Sequence, residues 1–224
     1  MVDARRFSWI VPCAVALVLL CLPLALSPYL QSLVAKIMVY AIFALSLQLL
    51  AGTTGLVSLG HAAFLGIGAY AAVLLSPEGS VSLAWLMPAA MLAAALYALV
   101  VGALSLRTTG VYFIMVTLAF AQMAYFVFHD TKLAGGSDGL YLYSRPALSL
   151  FGAKLLDAES GPQLYVLIWL ALVATYALLA LLLRSRFGHT LAGIRVNEQR
   201  MRAAGYSTVP YKLAAFVIAG ALAG

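Results

Sequence analysis

The sequence predicts an all-α, polytopic transmembrane helix bundle, and three observations carry that expectation. Of the 224 residues, 65% are apolar and only 9% are charged, against roughly 25% charged in a soluble globular domain. The apolar residues fall into long runs, most of them near the roughly 20 residues that a helix needs to cross a bilayer. The charged residues sit between the runs and are unequally divided among the connections, with a formal net charge of +6. In a soluble protein such a charge would suggest nucleic acid. Here the bases flank apolar runs, as the positive-inside rule describes, and no nucleic-acid partner is expected. We read one transmembrane domain over residues 1–224, with about six complete spans and a shortened seventh.

The elements follow in order. Arg5 and Arg6 precede an apolar run from Phe7 to Leu26, longer than the 7–15 residues usual for the core of a signal peptide. A retained first helix is therefore expected, although Ala25-Leu26-Ser27 could serve as a weak cleavage site. Cys13 and Cys21 lie on this run about 12 Å apart along a helix axis, too far to bridge. The second run spans about Leu33 to Ala51, with Lys36 near its start and Ser46 and Gln48 deeper.

The third run, GTTGLVSLGHAAFLGIGAYAAVLL from Gly52 to Leu75, is the most informative. Read as one helix, it places Ser58, Ala62 and Gly66 at i, i+4 and i+8, with Ala69 just beyond and Gly60 nearby. Such small residues would let a neighbouring helix approach closely. Ser58 and His61 are i, i+3 neighbours. An intramembrane histidine needs a partner or a wet cavity, so these two residues are candidates for a polar path. Interhelical hydrogen bonding alone explains them equally well.

Pro77-Glu78-Gly79 ends this run, and the fourth, from Leu83 to Leu104, contains Pro88. Arg107 and the turn Thr108-Thr109-Gly110 lead to the fifth, Val111 to Phe128. Its polar residues, Thr117 and Gln122, are further candidates for the polar path, with hydrogen bonding to backbone or a neighbouring helix the favoured alternative. The segment from His129 to Pro162 holds Asp130, Asp138, Asp157 and Glu159, together with Lys132, Arg145 and Lys154. A sixth run, Gln163 to Leu183, is followed by a basic stretch with Arg184, Arg186, Arg195, Arg200 and Arg202 and a single acid, Glu198. Counting connections puts the N-terminus and this basic stretch inside, and the acidic segment outside. Within the basic stretch, Asn197 to Ala204 reads as a short helix. Gly205 stands where a left-handed C-terminal residue is wanted, and Thr208 and Pro210 open the next helix. Leu213 to Gly224 is about 18 Å of helix, short of a roughly 30 Å hydrocarbon core, so an incomplete C-terminal portion is expected.

The segment GLVSLGHAAFLGIGAYAA resembles the signature of the permeases of branched-chain amino acid ABC importers, close to G-x-x-S-L-G-H-A-A-F-x-G-I-G-A-Y. Three further stretches resemble the same family in the same order: LRTTGVYFIMVTLAF from Leu106, GGSDGL from Gly135, and Gly188 to Phe216. The chain departs from the family at Gln122 and Tyr125, where many members carry an acid and an arginine. It departs also after Glu198, where the usual alanines are partly replaced.

The resemblance implies a permease subunit that moves a small solute, most directly branched-chain amino acids, with urea, amides or small organic acids as alternatives. It also implies partners: ATP-binding subunits, a second related permease, a periplasmic substrate-binding protein and membrane lipid. Glu198, Met201, Ala204 and Gly205 fall on the segment that such a resemblance assigns to ATPase coupling. A bacterial inner-membrane location follows from the same resemblance.

The residues offer no catalytic, metal or cofactor site. No G-x-x-x-x-G-K-[ST] phosphate loop is present, so the chain itself is not expected to hydrolyse ATP. No acid or base lies at mid-depth of a run, which argues against an ATP-independent secondary carrier. An intramembrane serine hydrolase built on Ser58 and His61 would lack both the G-x-S-x-G elbow and an orienting acid.

Overall fold

The computed structural model describes residues 4–24, 26–76, 81–131, 135, 136, 139, 148–150, 153–156 and 161–224. Glu78, Asp138, Arg145, Asp157 and Glu159, and with them most of the acidic side of the expected charge asymmetry, lie outside these residues.

Helices α1 (Ala4–Cys21), α2 (Pro28–Gln48), α3 (His61–Leu75), α4 (Leu83–Ser105), α5 (Val111–Asp130) and α6 (Gly161–Arg184) correspond to the first six apolar runs. A two-stranded antiparallel hairpin, β1 (Leu148–Leu150) with β2 (Ala153–Leu156), precedes α6. After α6 come two shorter helices, α7 (Arg186–Val196) and α8 (Glu198–Ala203), and then α9 (Thr208–Ala223). Among the described residues, four helices are long and apolar enough to cross a membrane: Pro28–Thr54, Leu83–Ser105, Val111–Asp130 and Gly161–Arg184. The third run departs from the expectation of a full span, because only its last 15 residues form α3.

The core lies where α4 and α9 cross. Ala94, Ala98 and Val101 of α4 meet Phe216, Ala219 and Ala223 of α9. Leu49 and Leu50, Phe64, Phe113 and Leu179 close the cluster from the other helices. Lipid tails are as apolar as leucine, so hydrophobicity gives no reason for two helices to associate there; close packing does. Small side chains therefore dominate the α4–α9 contact. A Cβ on Gly220 would fall within 3.0 Å of the Ala98 Cβ, and one on Gly102 would reach the Phe216 ring.

Polar tips tie the remaining helices together. Tyr97 donates from its hydroxyl to the Phe120 carbonyl at 2.7 Å, joining α4 to α5. Tyr165 Oη donates to the Leu19 carbonyl at 2.6 Å and Trp169 Nε1 to the Ala16 carbonyl at 2.9 Å, which fastens α1 to α6. Trp85 and Tyr112 are strongly exposed. Outward-facing Leu92, Val100, Met115 and Leu181 would be a liability in water but suit a surface solvated by hydrocarbon.

Candidate translocation site

The glycine-rich run is broken at its start. Helix α2 does not stop at Gln48 but widens into a π-helical turn over Leu49–Thr54. Thr53 and Thr54 return their hydroxyls to the carbonyls of Leu49 and Leu50, a local bond that competes with the helical ladder. A Cβ on Gly52 would meet only the end of the flexible Gln48 side chain. Gly55 then takes φ 74° and ends the helix, a conformation that costs glycine little and other residues more. Residues 56–60 run without helix to His61, where α3 begins. π-Helical turns recur at functional sites. Non-helical backbone at membrane depth is tolerated where protein or a water-filled cavity surrounds it.

This break corrects the expectation of one continuous helix, so Ser58 does not stand one turn before Ala62 on a helical face. The packed face of α3 carries His61, Phe64 and Gly68, which are buried. Ala62 and Ala69 are exposed, and a Cβ on Gly66 would meet nothing within 4 Å. Among the described residues, then, the buried side of α3 is the His61, Phe64 and Gly68 face rather than the small-residue stripe of Ala62, Gly66 and Ala69. Gly60 is one: a Cβ there would fall within 3.0 Å of the Thr117 carbonyl, so α5 and the start of α3 touch backbone to backbone.

His61 is 2% exposed. Its ring lies against Phe43, 5.1 Å away, and edge-on to Phe64, 5.3 Å away. Nε2 is 2.8 Å from Ser46 Oγ, and Ser46 Oγ also lies 2.6 Å from the Phe43 carbonyl. A carbonyl only accepts, so the single hydroxyl proton of Ser46 goes to Phe43, and Nε2–H of His61 donates to Ser46. Nδ1 is left as an acceptor. It and the equally buried Ser58 Oγ have no hydrogen-bond partner among the described residues. Buried polar groups are normally hydrogen-bonded, so each of these calls for an explanation, as does Ser105 Oγ of α4. Thr117, also buried, donates to the Ile114 carbonyl at 2.9 Å. Ser58, His61 and Thr117 therefore gather around the break, while Gln122 lies on the exposed side of α5. Ser46 is the partner missed by the sequence reading. Its only signal was a hydroxyl deep in the run before His61.

Replacing Ser46 by alanine should strand the His61 Nε2–H, at a cost of about 1–3 kcal/mol for an unsatisfied buried group. A lower thermal midpoint for Ser46→Ala in the full-length protein, recovered in part by Ser46→Thr, would show it; an unchanged midpoint would mean that the pair holds nothing together.

A second constellation forms at the basic end. Asn197 caps α8, its Oδ1 accepting from the Arg200 amide at 2.9 Å. At the other end Gly205 has φ 88°, with its amide bonded to the Arg202 carbonyl and the Tyr206 amide to the Met201 carbonyl. That is the double bond of a Schellman cap. Ser207, not Thr208, occupies the cap position of α9. Thr208 is buried and donates instead to Glu198 Oε1 at 2.8 Å. Arg202 donates to the same oxygen at 2.7 Å and Lys212 Nζ to Oε2 at 2.6 Å. Burial pushes the Glu198 carboxyl up, but the bonds from Lys212, Thr208 and Arg202 and the Lys212 charge outweigh it, and its pKa falls from 4.5 to about 2. Met201 turns inward, its sulfur against Gly193 of α7, while Gln199, Arg200, Ala204 and Gly205 are exposed.

Residues 29–224 match the family model of the branched-chain amino acid transport system permease component. This chain belongs to that permease family. The permease is 29% identical over 206 residues to the high-affinity branched-chain amino acid transport system permease protein LivM of Salmonella typhimurium strain LT2. It is 30% identical over 206 residues to the protein of the same name from Escherichia coli strain K12. Each alignment covers 84% of this chain and 48% of the relative, so the chain spans about half the length of the curated relatives it matches. No solved structure matches it. The family consists of transporter components rather than enzymes, and its membership together with the apolar helices makes this permease a multi-pass membrane protein.

Proposed function

We propose that this permease is a membrane subunit of an ATP-driven importer and that its solute is a branched-chain amino acid. In this reading the energy comes from separate ATP-binding subunits. A second related permease completes the membrane pathway, and a periplasmic binding protein delivers the solute in a bacterial inner membrane. The observation that carries the reading is α8. A six-residue helix is far too short to persist in water unaided. Yet it is capped at both ends and clamped to α9 through Glu198, and it presents Gln199 and Arg200 outward. A rigid exposed helix of this kind suits a docking element for a soluble ATPase better than a loop lying on lipid headgroups. The orientation follows from Arg107, Arg184, Arg186, Arg195, Arg200 and Arg202, which all fall on connections assigned to one side, the cytoplasmic one, with the N-terminus on that side too. Ser58, His61 and Thr117 are proposed to border the solute path, and Gln122 to face away from it.

Gly205→Val tests the docking. A β-branched residue held at a left-handed position costs roughly 1–2 kcal/mol, and among the described residues a Cβ on Gly205 would meet nothing within 4 Å to add a steric cost. In the full-length permease reconstituted with its partners, the variant should reach the membrane yet lose substrate-stimulated ATP hydrolysis. A cysteine at exposed Gln199 should crosslink to the ATPase subunit more readily than one at inward-turned Met201. Normal stimulation in Gly205→Val, with no crosslink from Gln199, Arg200 or Ala204, would leave only a lipid-facing loop.

A further inference from the structure

The two constellations described above are joined by one side chain. Arg195 is near the C-terminal end of α7, one residue before the junction with Asn197, which caps α8. Its Nη1 donates to the carbonyl of Gly52, 143 residues away in sequence, inside the π-helical turn that ends α2. The last carbonyls of a helix have no amide ahead of them to bond, and a cation placed there also meets the negative end of the helix dipole. The aliphatic stem of Arg195 covers Gly55 as well: a Cβ on Gly55 would stand 3.3 Å from Arg195 Cγ. Arg195 thus holds both the final turn of α2 and the left-handed residue where the break starts.

The base of this link is firm. Leu191 and Ile194 of α7 are buried, so the helix is seated on the bundle while Arg195 reaches along its surface. Gly193 receives the sulfur of Met201, which packs α8 onto α7. Glu198, three residues beyond Arg195, ties α8 to Lys212 and Thr208 of α9. Helix α8 is therefore tied to α7 as well as to α9. On the far side of the link, five residues lie between Gly55 and His61, and they include Ser58 and Gly60.

We propose that Arg195 is the positioning residue that couples the α7–α8 unit to the helix break, so that movement of α8 is delivered to the Gly52 carbonyl and through it to Ser58 and the His61–Ser46 pair. The proposal rests on the reading of α8 as the ATPase docking element. It differs from a stabilising role in what it does to coupling. Without the guanidinium, the ATPase still docks and hydrolyses, but the break no longer follows.

The test uses the full-length permease with its ATP-binding subunits and binding protein in proteoliposomes. Arg195→Gln should leave the Gln199→Cys crosslink intact and substrate-stimulated hydrolysis near that of the unaltered complex, while solute transported per ATP falls about tenfold, the scale expected for losing one hydrogen bond from a charged donor. Arg195→Lys keeps one charged donor without the planar fork and should recover part of the ratio. An unchanged transport-to-ATP ratio in Arg195→Gln, with the crosslink present, overturns the proposal and leaves the docking reading standing. Absence of the crosslink in the unaltered complex overturns the docking reading itself. Should Arg195→Gln fail to accumulate in the membrane, Arg195→Lys decides: a ratio equal to that of the unaltered complex overturns the proposal, and an intermediate ratio supports it.

Discussion

Gly60→Ala in the full-length permease is expected to abolish most solute uptake, whereas Gly66→Ala, six residues along the same run, is expected to be tolerated. The contrast comes from what each new methyl group meets. At Gly60 a Cβ would press within 3.0 Å of the carbonyl oxygen and carbon of Thr117 and would also crowd its Cβ. These are backbone atoms of α5, which cannot rotate aside as the end of a flexible side chain can. Overpacking of this kind costs typically 1–3 kcal/mol, and a backbone-to-backbone contact belongs at about the upper end of that range. Relief requires α3 to move away from α5, which shifts His61 from Ser46 and opens the break. At Gly66 the added methyl group meets nothing within 4 Å, and alanine is a better helix former than glycine by roughly 0.8–1.0 kcal/mol. Thermal midpoints in detergent together with uptake in vesicles separate the two variants. Equal midpoints and equal uptake would remove the α3–α5 contact as an explanation of the glycine at position 60. Loss in Gly66→Ala alone would instead place an essential partner against the exposed face of α3.

The second large effect belongs to Glu198. Replacement by alanine removes the carboxylate that Arg202, Thr208 and Lys212 share, and the Lys212 side chain is only 13% exposed. Hydrogen bonds to charged groups contribute roughly 1.5–3 kcal/mol. Stranding a partly buried ammonium adds a further cost that is smaller than in a dry interior, since Glu198 retains access to water. Helix α8, at six residues, should then detach from α9, and substrate-stimulated ATP hydrolysis should fall together with uptake. This pattern differs from that of Arg195→Gln, in which hydrolysis persists.

The same cluster sets a pH dependence. Its carboxyl titrates at about 2 in the folded protein against 4.5 when free, so folding weakens proton binding. The stabilisation is fully present above about 4.5 and is lost as pH falls through the folded value. The unaltered permease should therefore lose stability more steeply than Glu198→Gln over that window. Parallel acid-unfolding curves would mean that the cluster contributes nothing to stability.

The two constellations differ in how far they can be read from residues alone. The short helix at the basic end was legible because its determinants are local: Asn197 before it, Gly205 after it, and a residue in the left-handed region that glycine alone occupies without strain. The intervening α7 was less so, since its buried Leu191 and Ile194 stand among arginines and glycines without a long apolar stripe. In the fifth run the sequence could name Thr117 and Gln122 as the polar residues but not rank them. Only the approach of Gly60 shows that Thr117 faces the break and Gln122 does not.

What the sequence by itself determined is the environment: apolar runs of spanning length, charges gathered in the connections and near the run ends, and a glycine-rich segment whose resemblance names the family. These follow from the bilayer, which acts on each segment separately and rejects charge wherever the chain places it. What only the tertiary structure decided is where the third run stops being a helix and which of its faces is packed. Hydropathy cannot mark that boundary, because helix and non-helical backbone here are made of the same apolar and small residues. The π-helical turn is held in part by Arg195, 143 residues distant. Nor could periodicity tell the His61, Phe64 and Gly68 face from the Ala62, Gly66 and Ala69 face. In water a packed face is apolar and a free face polar, but lipid and protein interior are both apolar, so the contrast that periodicity measures is absent and shape, supplied by neighbouring helices, makes the choice.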